Sequence, residues 1–179
     1  QSKPFPYTLR EYMNTIEVKN LKRIYRTTTG VIRRKHKDVV AVEDISFDIK
    51  EGELFGLLGP NGAGKTTSVK VLATLLIPDA GEVRVKGLDI VKDANEVRKQ
   101  IGFIFGGERG LYWRLSGIDN LRYFASLYHV DPDLSKKRIP ELLELVGLEG
   151  RGDERVQGYS RGMKQRLHVA RTLLHDPDI

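Results

Sequence analysis

The chain has 179 residues, enough for a domain with a substantial core, and its 30 Lys/Arg against 24 Asp/Glu leave a net charge of +6. It contains no cysteine, which excludes a disulfide framework, a cysteine-ligated metal and a thiol nucleophile. No apolar run approaches the roughly 18 residues of a membrane span, and no apolar stretch near the start marks a secretory signal.

Residues 1–14 contain Pro4 and Pro6 without a hydrophobic period and are expected to form an N-terminal extension. The basic excess lies early: residues 1–40 hold ten Lys/Arg against three Asp/Glu, a net of +7, so the remainder carries −1. Its centre is Arg33-Arg34-Lys35-His36-Lys37. This run is read either as a solvated loop or as a contact for anionic lipid or nucleic acid. No aromatic interleaves it, which counts against a base-stacking surface.

Ile16 and Val18 alternate with polar neighbours, as do Ile45, Phe47 and Ile49, and then Val83 and Val85 between Gly81 and Gly87. Each is the pattern of a half-buried strand. Leu54-Phe55-Gly56-Leu57-Leu58 is continuously apolar apart from its glycine and predicts a parallel strand buried on both faces. It leads into Gly59-Pro60-Asn61-Gly62-Ala63-Gly64-Lys65-Thr66, which fits G-x-x-x-x-G-K-[ST]. In this pattern the backbone N–H groups of a tight loop point at nucleotide phosphates, and the glycines permit angles and approaches that a Cβ obstructs. Lys65 brings a positive charge to the β- and γ-phosphates, and the Thr66 hydroxyl is the candidate Mg²⁺ ligand. Val69, Leu72, Ala73 and Leu76 then fall on one helical face, and Pro78 and Gly81 close the segment. Strand before and helix after is the context such a loop needs, since the helix N-terminus adds its positive end to the phosphate site.

A short charged helix is expected over 93–100, then an apolar run from Ile101 to Phe105. Ser116 opens a Ser-x-x-Asp helix start with Ile118, Leu121, Ala125 and Tyr128 on one face. A second helix is expected from Leu134 to Val146, stopped at Gly147, with Pro140 kinking it or confining it to its C-terminal part. The character of the chain thus moves from an α/β core to a helical insertion. In Gly158-Tyr159-Ser160-Arg161-Gly162-Met163-Lys164-Gln165-Arg166-Leu167 a serine at a helix start offers a hydroxyl, free N–H groups and a positive dipole end. Met163, Leu167, Ala170 and Leu174 line one face behind it. Taken alone this stretch is a capped helix.

Together with the phosphate loop about a hundred residues upstream, it resembles the signature motif of the ABC ATPase family. The family's Leu-Ser-Gly-Gly-Gln stands here as Tyr159-Ser160-Arg161-Gly162-Met163, and Lys164 to Leu167 and Ala170 to Pro177 also look like this family. The resemblance covers about Thr15 to Ile179, and the Ser-x-Gly-Met-Lys-Gln form looks like its drug- and ion-exporter branch. It implies a P-loop NTPase core with an antiparallel β subdomain and a helical subdomain. Residues 15–110 would hold the core, the β subdomain and the phosphate loop; 111–162 the helical subdomain with the signature; and 163–179 the helix leading to the next core strand.

The resemblance further implies an ATPase that uses ATP and Mg²⁺. Gly59, Pro60, Asn61, Gly62, Ala63, Gly64, Lys65, Thr66 and Thr67 would grip the phosphates, and Ser160 and Gly162 would face the γ-phosphate held by a partner copy. A homodimer or paired nucleotide-binding subunit is therefore implied. So is a membrane permease, met near Tyr112 and Trp113, which would place the chain peripherally at the cytoplasmic face of the membrane. Tyr25 matches the aromatic that stacks on adenine, the alternative being plain packing. Trp113 is either an interface anchor or buried under the helical part.

Two departures matter. Where the family carries a glutamine after Phe105, this chain reads Gly106-Gly107-Glu108-Arg109, so Glu108 is the candidate metal or water contact. The family's Asp-Glu strand and its catalytic histidine would follow Ile179, and the first residue is Gln1. Both ends look cut. A fragment lacking the general base is expected to grip nucleotide yet scarcely hydrolyse it, with its phosphate-loop strand short of a sheet neighbour. The leading expectation is an ATP-binding exporter subunit with no nucleic-acid partner. The alternatives are a soluble ABC-family ATPase acting on nucleic acid or ribosomes, and a binding-only regulatory module.

Overall fold

The computed structural model describes residues 14–29, 35–104 and 110–179. The chain forms two compact units, Gln1–Arg98 and Lys99–Ile179.

The first unit is built on a four-stranded antiparallel sheet of order β2-β1-β3-β4, from β1 (Asn14–Thr29), β2 (Lys35–Lys50), β3 (Ala80–Val85) and β4 (Leu88–Asp89). The alternation seen in the sequence sets its register. Ile16 pairs with Val85 and Val18 with Val83, and all four are buried. Ile45, Phe47 and Ile49 form the half-buried side of β2 between exposed neighbours, as expected. Gly81 is required where β1 shifts register between Lys19 and Lys22. It has a φ of +91°, and a Cβ there would clash with the Lys19 and Asn20 carbonyl oxygens.

The helix α1 (Lys65–Leu72) packs on β2, and its buried residues are Ser68 and Val71, with Ala73 just beyond its end. The expected apolar face is therefore rotated, since Val69 is exposed. The anticipated buried strand at 54–58 is also corrected. Residues 54–58 pair with no described strand, and Leu54 and Leu58 are 99% and 95% exposed. An apolar run becomes a buried strand only when neighbours supply both its ladder bonds and its cover.

α2 (Ala94–Gln100) matches the expected short charged helix. The second unit packs α3 (Gly117–Leu127), α4 (Pro132–Leu145) and α5 (Arg161–Thr172) around one core. Leu121, Leu148, Leu167 and Leu174 are fully enclosed there, each worth about 1.5–3 kcal/mol against exposure. Ser116 caps α3 by accepting the Asp119 N–H at 3.0 Å, the start read from the sequence. α4 begins earlier than expected, at an Asp131 cap followed by Pro132, and runs through Pro140 to Leu145. Pro140 and Lys136 are both exposed, so water can serve the carbonyl that the proline leaves unpaired. No described helix is long and apolar enough to cross a membrane.

The run from Ile101 makes no strand over 101–104, yet it starts a pairing. Ile179 N–H donates to the Gln100 carbonyl at 3.0 Å and Gly102 N–H to the Ile179 carbonyl at 2.6 Å. That offset exchange is how a parallel ladder begins.

Candidate nucleotide site

The phosphate-loop residues 59–67 form a turn and the first turn of α1. Gly59, Gly62 and Gly64 have φ of 153°, 87° and 82°, the left-handed half of the map that glycine enters freely. At Gly64 there is a second constraint. A Cβ would run into the Ala41 carbonyl oxygen and the Val42 side chain of β2. The loop can lie against the sheet only because this residue is glycine.

α1 begins with no side-chain cap and no acidic residue in its first turn. Its leading N–H groups are thus without a competing carboxylate or hydroxyl, the condition an anion needs at a helix N-terminus. Lys65 Nζ donates to the Gly59 carbonyl at 2.6 Å and the Pro60 carbonyl at 2.7 Å, which keeps the ammonium folded over its own loop. Ser68 Oγ bonds the Gly64 carbonyl at 3.1 Å and fixes the loop-to-helix junction from the buried side. Pro60, Asn61, Gly62, Ala63 and Thr66 are exposed or border open space, while Thr67 is half-buried. Uncapped N–H donors, the Lys65 ammonium and a glycine-rich turn together fit a polyphosphate.

Tyr25 lies half-buried in β1 opposite Val39, with the Arg23 guanidinium 5.4 Å from its ring centroid. Arg23 is held in turn by Asp79, at 3.1 Å. The Ile24 N–H, then the charges of Arg23 and Arg26, keep the Asp79 carboxyl below the usual carboxylate range despite the opposing effect of burial. Neither Arg23 nor Asp79 was singled out from the sequence. Only the i, i+2 spacing of Arg23 and Tyr25 on one strand face hinted at the contact.

Ser160 caps α5 with φ −63° and ψ 164°, accepting the Met163 N–H at 3.2 Å, so its own hydroxyl proton stays free to donate. Gly162 is exposed on the same first turn. Tyr159 beside them is buried, its hydroxyl donating to the Arg151 carbonyl at 2.6 Å, and burial raises its pKa. Ser160 thus starts α5 beside a buried, hydrogen-bonded Tyr159.

Trp113 is 51% exposed, which overturns the alternative of burial under the helices. Lys164 Nζ lies 5.1 Å from its ring centroid, and the Trp113 carbonyl accepts the Gln157 N–H at 2.9 Å. Tyr112 is also exposed, its hydroxyl bonded to that of Tyr123 at 3.1 Å. Asn120 holds this loop from within. Fully buried, it accepts the Tyr112 N–H at 2.8 Å and donates to the Tyr112 and Ser116 carbonyls at 3.0 and 2.8 Å. That amide went unnoticed in the sequence, where its only sign is a polar residue on the buried face of α3.

Glu108, with Phe105 to Arg109, lies outside the described residues, as do Arg33 and Arg34. Lys35 to Lys37 begin β2 instead of continuing a loop. Among the described residues no three His, Cys, Asp or Glu gather as a metal site.

The chain has clear relatives in sequence and in fold. The family profile described as ABC transporter matches residues 42–179. The ABC transporter ATP-binding protein NatA of Bacillus subtilis (strain 168) is 46% identical over 156 residues, which are 86% of this chain and 63% of the relative. The doxorubicin resistance ATP-binding protein DrrA of Mycobacterium tuberculosis (strain ATCC 25618 / H37Rv) is 42% identical over 141 residues, 79% of this chain and 42% of that one. Among solved structures, the ATP-binding cassette MJ0796, a dimer in a post-hydrolysis state bound to ADP and Pi, superposes with a TM-score of 0.75 at 26% identity. It covers 90% of this chain and 70% of its own. An ATP-binding subunit of an ABC transporter gives 0.70 at 29% identity over 91% of this chain and 63% of that chain. The chain therefore spans somewhat under two thirds of NatA and less than half of DrrA. On the extent of the family match and the identity to these relatives, the chain belongs to the ABC transporter family.

Proposed function

We propose that this chain is the nucleotide-gripping part of an exporter's ATP-binding subunit. Gly59 to Thr67 take the phosphates, Lys65 neutralises the β- and γ-phosphates, and Thr66 supplies a hydroxyl to Mg²⁺. Tyr25 stacks on the adenine. Ser160 and Gly162 address the γ-phosphate held by a second copy, so nucleotide joins two chains. The observation that carries the reading is the pair of helix N-termini: one uncapped behind a glycine loop with a lysine, the other capped by a serine with its proton free. Each offers N–H groups and a positive dipole end to an anion.

The cleavage of ATP supplies the free energy, and this chain's residues bind and orient the phosphates and neutralise their charge. Closing two copies on nucleotide and reopening them would drive a membrane permease between states. The exposed Tyr112 and Trp113 are the proposed permease contact, at the cytoplasmic face of the membrane. The names of the relatives support this reading over one that acts on nucleic acid or ribosomes.

The test separates the two halves. Lys65→Ala is expected to weaken ATP binding by at least ten-fold, the order of one lost charge-assisted contact, by titration calorimetry. Ser160→Arg is expected to leave monomer binding unchanged while abolishing ATP-induced dimers in sedimentation. Equal loss of monomer binding in both variants would overturn the composite site.

A further inference from the structure

The Tyr25 ring is held by more than strand pairing. β1 is irregular against β2 on both sides of Arg23, between Leu21 and Arg23 and again between Arg23 and Ile24. Such shifts re-aim nearby side chains and disturb the regular ladder. Here the Ile24 N–H donates to Asp79 Oδ2 at 2.9 Å. The same carboxylate takes Arg23 Nη1 at 3.1 Å and Arg26 Nη2 at 3.3 Å. Arg23 Nη1 also donates to the Ile77 carbonyl at 2.8 Å, and the Asp79 N–H donates to the Lys22 carbonyl at 2.8 Å. Side-chain exposure is only 23% for Arg23 and 16% for Asp79, so the pair is well shielded. Thus anchored at two points, the guanidinium lies over Tyr25 and occupies one side of its ring.

We infer that Asp79 is a positioning residue for adenine: through Arg23 and the Ile24 N–H it sets the plane of the Tyr25 ring that the base stacks on. The inference rests on the reading of Tyr25 as the base contact. Asp79 need not touch the nucleotide. Stacking depends on ring offset and separation, so a ring fixed beforehand binds better than one that must be ordered by the ligand.

The experiment compares ATP with inorganic tripolyphosphate, both with Mg²⁺, on the full 179-residue chain by calorimetry. The Kd for tripolyphosphate divided by the Kd for ATP isolates what the nucleoside adds. Tyr25→Ala and Asp79→Asn are each expected to lower that ratio about three- to ten-fold, the scale of one aromatic stacking contact. Tripolyphosphate affinity should stay unchanged, and the double variant should fall no further than Tyr25→Ala alone. Arg23→Met, which leaves the Asp79 carboxylate to the Ile24 N–H and Arg26, should act like Asp79→Asn and carries the test if the latter does not fold. A ratio that falls in Tyr25→Ala but holds in the Asp79 and Arg23 variants overturns the positioning role. Equal weakening of ATP and tripolyphosphate also overturns it, because the pair would then only hold β1 to the rest of the sheet. A ratio unchanged in Tyr25→Ala removes the base contact itself, and the inference with it.

Discussion

His168 shows how a single residue can oppose the fold that contains it. It is 2% exposed on α5, and neither ring nitrogen has a hydrogen-bond partner among the described residues. Burial first, and then the Arg171 charge, hold its pKa below the ordinary value. The folded state keeps the ring neutral, whereas the unfolded chain takes up a proton near pH 6.5. Stability is therefore complete above about pH 6.5 and declines as pH falls toward the folded value, by up to about 1.4 kcal/mol per pH unit. His168→Leu is expected to flatten this dependence between pH 7 and pH 5 in urea titrations, and an unchanged slope would rule out His168 as its source. Asp79 titrates the other way in its cause: salt-bridged and hydrogen-bonded, it is held low, and its contribution is lost only in stronger acid. Neither behaviour was legible in the sequence, because burial and partners across the chain create both shifts.

Among the elements, the two serine-capped helix starts were legible, whereas the Asp131 cap of α4 was not. Ser116 and Ser160 cap their helices where the sequence places them, since capping is a contact between residues three apart. Helix faces were less secure. The eight residues of α1 offer too few turns for hydrophobic period to choose a side, and packing against β2 selected Ser68 and Val71. For α3 the longer period did find Leu121 and Ala125, but it passed over Asn120, the buried amide that ties down the 112–116 loop. Asn120→Ala should strand the Tyr112 N–H and two carbonyls, and is expected to cost about 2–3 kcal/mol. The unfolding midpoint in urea checks this, and Trp113 fluorescence should report a loosened loop before global unfolding. A variant as stable as the parent would mean that the loop is held by other contacts.

For the whole molecule, the apolar residues left outside matter as much as those within. Leu54 and Leu58 are almost wholly exposed, and Phe55, also exposed, stacks on Phe47 at 4.9 Å. An apolar extended segment without ladder partners is a surface for association. The chain is expected to self-associate as its concentration rises, and Leu54→Lys to reduce this in light scattering without weakening nucleotide binding. Concentration-independent scattering by the parent chain would refute the expectation. The family assignment does not depend on the answer, since it rests on the match over 42–179.

By itself the sequence determined the features that are local. The phosphate loop, the two serine caps and the alternating strands β1, β2 and β3 each depend on residues a few positions apart. Glycine at 64 was legible as part of a motif, although its reason, the Ala41 carbonyl behind it, was not. Only the tertiary structure decided which apolar segments find cover, so that Leu121 is enclosed while Leu54 is bare. It also decided that Arg23 would lie over Tyr25 and that Asp79 would hold them both. Burial and pairing are made by residues distant in the chain, and no local pattern carries the position of a neighbour about fifty residues away.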